Sequence, residues 1–147
     1  MRFEAESFSV IIMEAHKRNE GGDAAVKPIE IAEVQARIDR LKNRDVYLHL
    51  ETSSGAYAAH LDSSKHPSSA FVSNAAVRFG HGGISGDGPY RIGLKTALGW
   101  VYAEGLTHYE ENESELLLLA GHDSQGKLVT AVLLSPEPIH PNRGDMR

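Results

Sequence analysis

The chain contains no cysteine. That excludes a disulfide framework, a thiolate nucleophile and every zinc site that needs sulfur ligands. Long apolar runs are also missing. The run nearest the N-terminus is Val10-Ile11-Ile12-Met13, far short of the ~20 residues that cross a bilayer. Glu4 and Glu6 precede it, where a secretory leader carries basic residues. Positive charge is sparse: 15 Lys and Arg stand against 20 Asp and Glu, for a net charge of −5. The basic residues are scattered, so no stripe neutralises a phosphate backbone, and nucleic acid is not an expected partner. No HExxH, no glycine-rich loop ending in Gly-Lys-Ser/Thr and no G-x-S-x-G elbow is present. His49-Leu50-Glu51 matches the H-x-E of zinc nucleobase deaminases, but the paired cysteines of that site are absent. These absences predict a cytoplasmic protein with no membrane span, no cofactor, no metal and no catalytic role.

What is present suits a single β-rich domain. Apolar residues make up 41% and charged residues 24%, the balance of a chain that can bury a core. Fourteen glycines punctuate it into short segments. Residues 1–26 read as an N-terminal extension, 27–139 as the domain and 140–147 as a C-terminal tail. One amphipathic helix is predicted over about Ile29 to Lys42, because Ile31, Val34, Ile38 and Leu41 recur at helical spacing. Pro28 suits its start, and Glu30 and Glu33 suit the positive end of its dipole. Strands are predicted at Asp45–Ser53, Ala56–Asp62, Ala70–Phe79, Tyr90–Lys95, Gly99–Glu110, Glu115–His122 and Lys127–Ser135. Such a series favours an antiparallel sheet folded as a barrel or a sandwich.

Candidate site residues follow from the alternation. With Ser54-Gly55 as a two-residue turn, His49 would face His60 across a hairpin, with Glu51 and Asp62 alongside. Val46, Leu48 and Leu50 would form the core face. Two imidazoles ~5 Å apart beside carboxylates could hold a divalent metal or share a proton, although a half-solvated sheet shows the same polar face. The stretch His81–Tyr90 reads as a glycine-rich connection, chiefly a turn, with Asp87 and Tyr90 as polar handles. Further on, Trp100, Tyr102, Glu104, Leu106 and His108 share one strand face that could stack on a sugar or heterocycle. Burial of Glu104 among those aromatics would raise its pKa.

Several phrases then resemble a known family. Asp45-Val46-Tyr47-Leu48-His49-Leu50-Glu51-Thr52, Gly55-Ala56-Tyr57-Ala58-Ala59-His60-Leu61, Gly86-Asp87-Gly88-Pro89-Tyr90-Arg91-Ile92-Gly93-Leu94-Lys95, Gly99-Trp100-Val101-Tyr102-Ala103-Glu104-Gly105-Leu106-Thr107 and Leu119-Ala120-Gly121-His122 are similar to the YojF-like family of bacterial proteins. The resemblance spans roughly Lys27 to Ile139. It implies a compact, mainly β protein with little helix, and it carries over no catalytic residue. It also implies genes neighbouring a zinc-dependent N-deacetylase of the type that makes bacillithiol, hence an accessory role.

The leading expectation is therefore a non-catalytic domain that binds a partner protein or a small polar ligand through His49, Glu51, His60, Asp87, Tyr90, Trp100 and Glu104. The alternatives are a small hydrolase or lyase built on His49, His60 and their carboxylates, and a structural module that works as a homo-oligomer.

Overall fold

A computed structural model describes residues 25–54, 64 and 68–139. The predicted strand 56–62 with His60, the tail 140–147, and all of the N-terminal extension except Ala25 and Val26 lie outside the described residues.

Strand β1 (Ala25–Pro28) leads into helix α1 (Ile31–Leu41). Eight further strands follow: β2 (Val46–Ser54), β3 (Ser68–Val77), β4 (Phe79–Ser85), β5 (Tyr90–Thr96), β6 (Trp100–Leu106), β7 (His108–Glu111), β8 (Leu117–His122) and β9 (Leu128–Ser135). They form a six-stranded sheet ordered β1-β7-β8-β9-β2-β3 and a three-stranded sheet ordered β4-β5-β6. Every pairing is antiparallel. The mainly β expectation holds, but among the described residues neither sheet closes into a barrel.

The inner faces of both sheets and one face of α1 share a single core. Val46 and Leu48 from β2, Ile92 and Leu94 from β5, Leu117 and Leu119 from β8, and Val132 and Leu134 from β9 meet Val34, Ile38 and Leu41 of the helix. Burying each of those three helix side chains contributes about 2 kcal/mol. The buried stripe runs Val34, Arg37, Ile38, Leu41, so Ile31, predicted on it, is instead 40% exposed and Ile29 packs inward from before the helix. Pro28 ends β1 at the sheet edge, where its missing N–H breaks no ladder bond. The helix stops at Lys42, which turns extended with ψ of 154°, and Asn43 beyond it takes a left-handed φ of 62°. The Asn43 N–H then donates to the Phe79 carbonyl at 2.8 Å.

Two predicted elements are corrected. Both sides of β2 are occupied, by β3 and by β9, so no side remains for the hairpin that would have set His49 against His60. His49 lies opposite Leu133 on one side, and on the other faces a bulge where β3 carries an extra residue between Val72 and Ala75. The glycine-rich stretch read as a connection is largely strand β4, and only Gly86–Pro89 turns. Gly86 and Gly88 have φ of 115° and 100°, a conformation that side chains resist.

Candidate functional site

Three clusters of chemically capable side chains emerge among the described residues. Two of them lie on opposite sides of the molecule, because the outer faces of the two sheets point away from the shared core.

On the outer face of the three-stranded sheet the ladder sets side chains in rows. His81, Lys95 and Trp100 form one row, Gly83, Gly93 and Tyr102 the next, and Ser85, Arg91 and Glu104 the third. The middle row has side-chain substance only at Tyr102. The bare backbone of Gly83 and Gly93 therefore floors an open depression of about 360 Å³, walled by His81, Ser85, Arg91, Trp100 and Tyr102. Trp100 is 67% exposed and Tyr102 55%, an unusual state for large aromatics. The tight β5–β6 turn fixes the backbone that leads into Trp100. Thr96 Oγ1 donates to the Gly99 carbonyl and accepts from the Gly99 N–H, both at 3.0 Å, and Trp100 follows directly. Lys95 Nζ stands 5.4 Å from the indole centroid, a cation–π contact.

The predicted face of β6 is thus real for Trp100, Tyr102 and Glu104, but it ends there. At Gly105, with φ of 87°, the ladder slips by one residue, pairing Tyr90 with Leu106 and Arg91 with Glu104. The alternation inverts, Leu106 turns into the core, and the chain crosses to the six-stranded sheet as β7. Glu104 is exposed opposite Arg91 rather than enclosed by aromatics. Asp87 is exposed in the Gly86–Pro89 turn. Tyr90 packs half-buried against the core and does not join the depression.

On the outer face of the six-stranded sheet the structure brings His49 and Glu51 together. Alternation predicted this polar face as half-solvated, yet His49 is fully buried and Glu51 nearly so. Their neighbours along the ladder are Leu133 and Ala131, with Leu118 beyond, and the His49 ring meets Phe71 edge-on at 4.9 Å. His49 Nε2 is 3.9 Å from Glu51 Oε2, too long for a hydrogen bond. Among the described residues neither ring nitrogen of His49 nor Glu51 Oε1 has a hydrogen-bond partner. No group of three or more His, Asp or Glu placed to hold a metal ion occurs among them either.

The third cluster went unread in the sequence. His108 and His122 are 14 residues apart, but the β7–β8 ladder, which pairs His108 with Ala120, brings their rings to 4.8 Å and their Nδ1 atoms to 3.2 Å. Thr107 organises them. Its hydroxyl donates to the Ala120 carbonyl at 3.3 Å, and its oxygen accepts from the His122 N–H at 3.0 Å and contacts His108 Nδ1 at 2.7 Å. Counting residues across the Glu111–Leu116 connection would have found the pair, since hairpin register fixes which residues face.

Burial holds His108 below the usual imidazole range, and repulsion from His122 adds to this. The unfolded chain therefore takes up the proton first as pH falls, so the stabilising contribution is complete above about 6.5 and drains away below it. Unfolding midpoints measured from pH 7.5 to 5 should fall, and His108→Gln should flatten part of that decline. An unchanged slope in the variant would place the titration elsewhere.

The fold and its exposed aromatic face define a mainly β protein, with two open antiparallel sheets and one helix across their core among the described residues. Residues 28–139 match the family described as "Protein of unknown function (DUF1806)", and the chain belongs to it. It is 46% identical over 114 residues to a protein of Bacillus subtilis (strain 168) described as "Uncharacterized protein YojF", a match covering 78% of this chain and 98% of that one. The crystal structure of Bacillus subtilis YojF protein superposes with a TM-score of 0.66 at 42% identity, covering 79% of this chain and 98% of the other. No helix among the described residues is long and apolar enough to cross a membrane.

Proposed function

We propose that this chain is a non-catalytic binding domain whose outer three-stranded face takes a small polar ligand carrying a sugar or heterocyclic ring. One observation carries the reading: an exposed indole and an exposed phenol flank a glycine-floored depression. Water-exposed aromatics cost little to bring against a ring face and gain its stacking. Arg91 and Lys95 stand on this face against the single carboxylate of Glu104, in a chain of net charge −5. That balance favours a ligand with an anionic group.

Trp100 is the chain's single tryptophan, so fluorescence excited beyond the tyrosine absorption band reports on this site alone. Titration with adenosine 5′-monophosphate and with glucose 6-phosphate should give saturable quenching by at least one of them. Arg91→Ala should weaken that binding by about tenfold, the worth of one charge-assisted hydrogen bond. Fluorescence unmoved by either probe would defeat the reading.

The same domain is proposed to act in the cytoplasm as an accessory to a zinc-dependent N-deacetylase, on the strength of the neighbouring gene that the family resemblance implies. Co-purification with such an enzyme, and a change in its rate on adding this chain, are the expected results. Neither occurring would remove the accessory role and leave the ligand reading intact.

A further inference from the structure

Long side chains set diagonally on neighbouring strands meet over the face of a sheet. His108 and His122 are such a pair, since His108 lies opposite Ala120, two residues before His122. The β8–β9 ladder slips just there, setting His122 against Leu128 and leaving Val129 unopposed. Thr107 ties the two histidine-bearing strands together. Its N–H donates to the Ala120 carbonyl at 2.8 Å, and its hydroxyl oxygen accepts from the His122 N–H at 3.0 Å. One residue thus grips β8 on both sides of Gly121, where β8 also meets Gly105. The backbones that carry the two rings are fixed relative to one another before any ligand arrives.

The rings themselves are committed to little. Among the described residues no carboxylate or carbonyl holds either Nδ1. They face each other at 3.2 Å, and His108 Nδ1 also contacts the Thr107 hydroxyl at 2.7 Å. Two N–H groups would collide at that separation, so the pair shares a single proton between its facing nitrogens.

We propose that His108 and His122 bind a divalent transition ion of the nickel, copper and zinc group between their Nδ1 atoms. Imidazole nitrogens stand about 2.0–2.1 Å from such an ion. Two of them held 3.2 Å apart subtend about 100° at the metal, between the square-planar and tetrahedral angles. The ring planes cross at 89°, so one line lies in both, and each Nδ1 lone pair points within its own ring plane. The ion takes the place of the shared proton, which moves to Nε2 of its own ring. No third His, Asp or Glu among the described residues joins the pair, so water fills the remaining positions. Both rings are half-buried rather than enclosed, which leaves water that access.

Calorimetric titration of the full chain, freed of metal by chelator and dialysis, with zinc chloride at neutral pH should show one saturable site in the micromolar range. His108→Ala and His122→Ala should each weaken it by about a hundredfold or more, beyond the cost of losing an outer partner of a ligand. Nitrogen-15 spectra of the imidazoles judge the proposal on the unaltered chain even if the variants do not fold. Zinc should move the Nδ1 resonances of His108 and His122 along one saturation curve and leave the other histidines still. No saturable binding at millimolar zinc, binding undiminished by either substitution, or a response confined to other histidines would overturn it. None of these results bears on quenching of Trp100, so the reading of the aromatic face is judged separately.

Discussion

Gly121→Ala is expected to lower the unfolding midpoint by about 10 °C, equivalent to about 3 kcal/mol in a domain of this size. A Cβ at this position would overlap the carbonyl oxygen of Gly105 and the methyl of Thr130. Neither can withdraw. The Gly105 carbonyl belongs to a backbone already at φ 87°, where the two sheets touch. The buried Thr130 side chain is held by its hydroxyl, which donates to the Glu51 carbonyl at 3.1 Å. Gly80→Ala is the contrasting substitution, since its Cβ would meet only Asn43 Oδ1 at an ordinary 3.6 Å, and it should change the midpoint by no more than about 3 °C. Thermal unfolding followed by circular dichroism measures both. If the two variants melted alike, the close approach of β6 and β8 would not be what demands glycine at 121.

The same contact ties stability to the candidate sites. Gly105 and Gly121 meet where β6 leaves the aromatic face and where β8 reaches His122. A shift there displaces Glu104 on one side and the His108–His122 pair on the other. Gly121→Ala should therefore also weaken ligand quenching of Trp100, in proportion to how far β6 moves. The glycines of the floor act differently. A Cβ on Gly93 would rest 3.8 Å from the indole, an ordinary contact, so nothing in the packing forbids a side chain there. Their use is the empty volume they leave.

How much of this was legible depends on what period-two patterning can say. It assigns residues to faces, and did so correctly for Val46, Leu48, Trp100, Tyr102 and Glu104. It names no neighbours. The expected hairpin placed His49 against His60 because a Ser-Gly turn is a local signal, while the long-range ladders to β3 and β9 that occupy β2 leave no local trace. Nor does a polar residue announce that its face is covered: His49 and Glu51 alternate as if solvated and are buried. Strand β4 was read as loop because glycine signals turns, yet Gly82 is there to admit the helix. A Cβ on it would come within 2.7 Å of Ile38 and 2.9 Å of Phe79. Slips such as that at Gly105 invert faces midway along a strand, and no spacing rule anticipates them.

Arg37 escaped notice for a related reason, since a charged residue on a helix is normally assigned to water. It sits between Val34 and Ile38 on the buried stripe, and its guanidinium donates four hydrogen bonds into one short segment. The acceptors are the carbonyls of Glu110 at 3.0 Å, Ser114 at 2.9 Å and Leu116 at 2.7 Å, and Asn112 Oδ1 at 2.8 Å. The connection between β7 and β8 is thus wrapped around one planar fork, and Asn112 secures it further by accepting from the Ser114 N–H at 2.9 Å. Arg37→Met keeps the apolar stem and should cost about 3 kcal/mol. Replacing a whole buried ionic group with apolar side chains can be neutral, but here three of the four acceptors are backbone carbonyls that no substitution removes, and each would lose this donor. Arg37→Lys should recover less than half of the loss, because an ammonium cannot span acceptors set out for a guanidinium. Urea unfolding should show both shifts without a change in slope, and amide exchange should quicken first across 112–116. If Arg37→Met left exchange in that segment untouched, the loop would be holding itself, and the fork would be a passenger in the core.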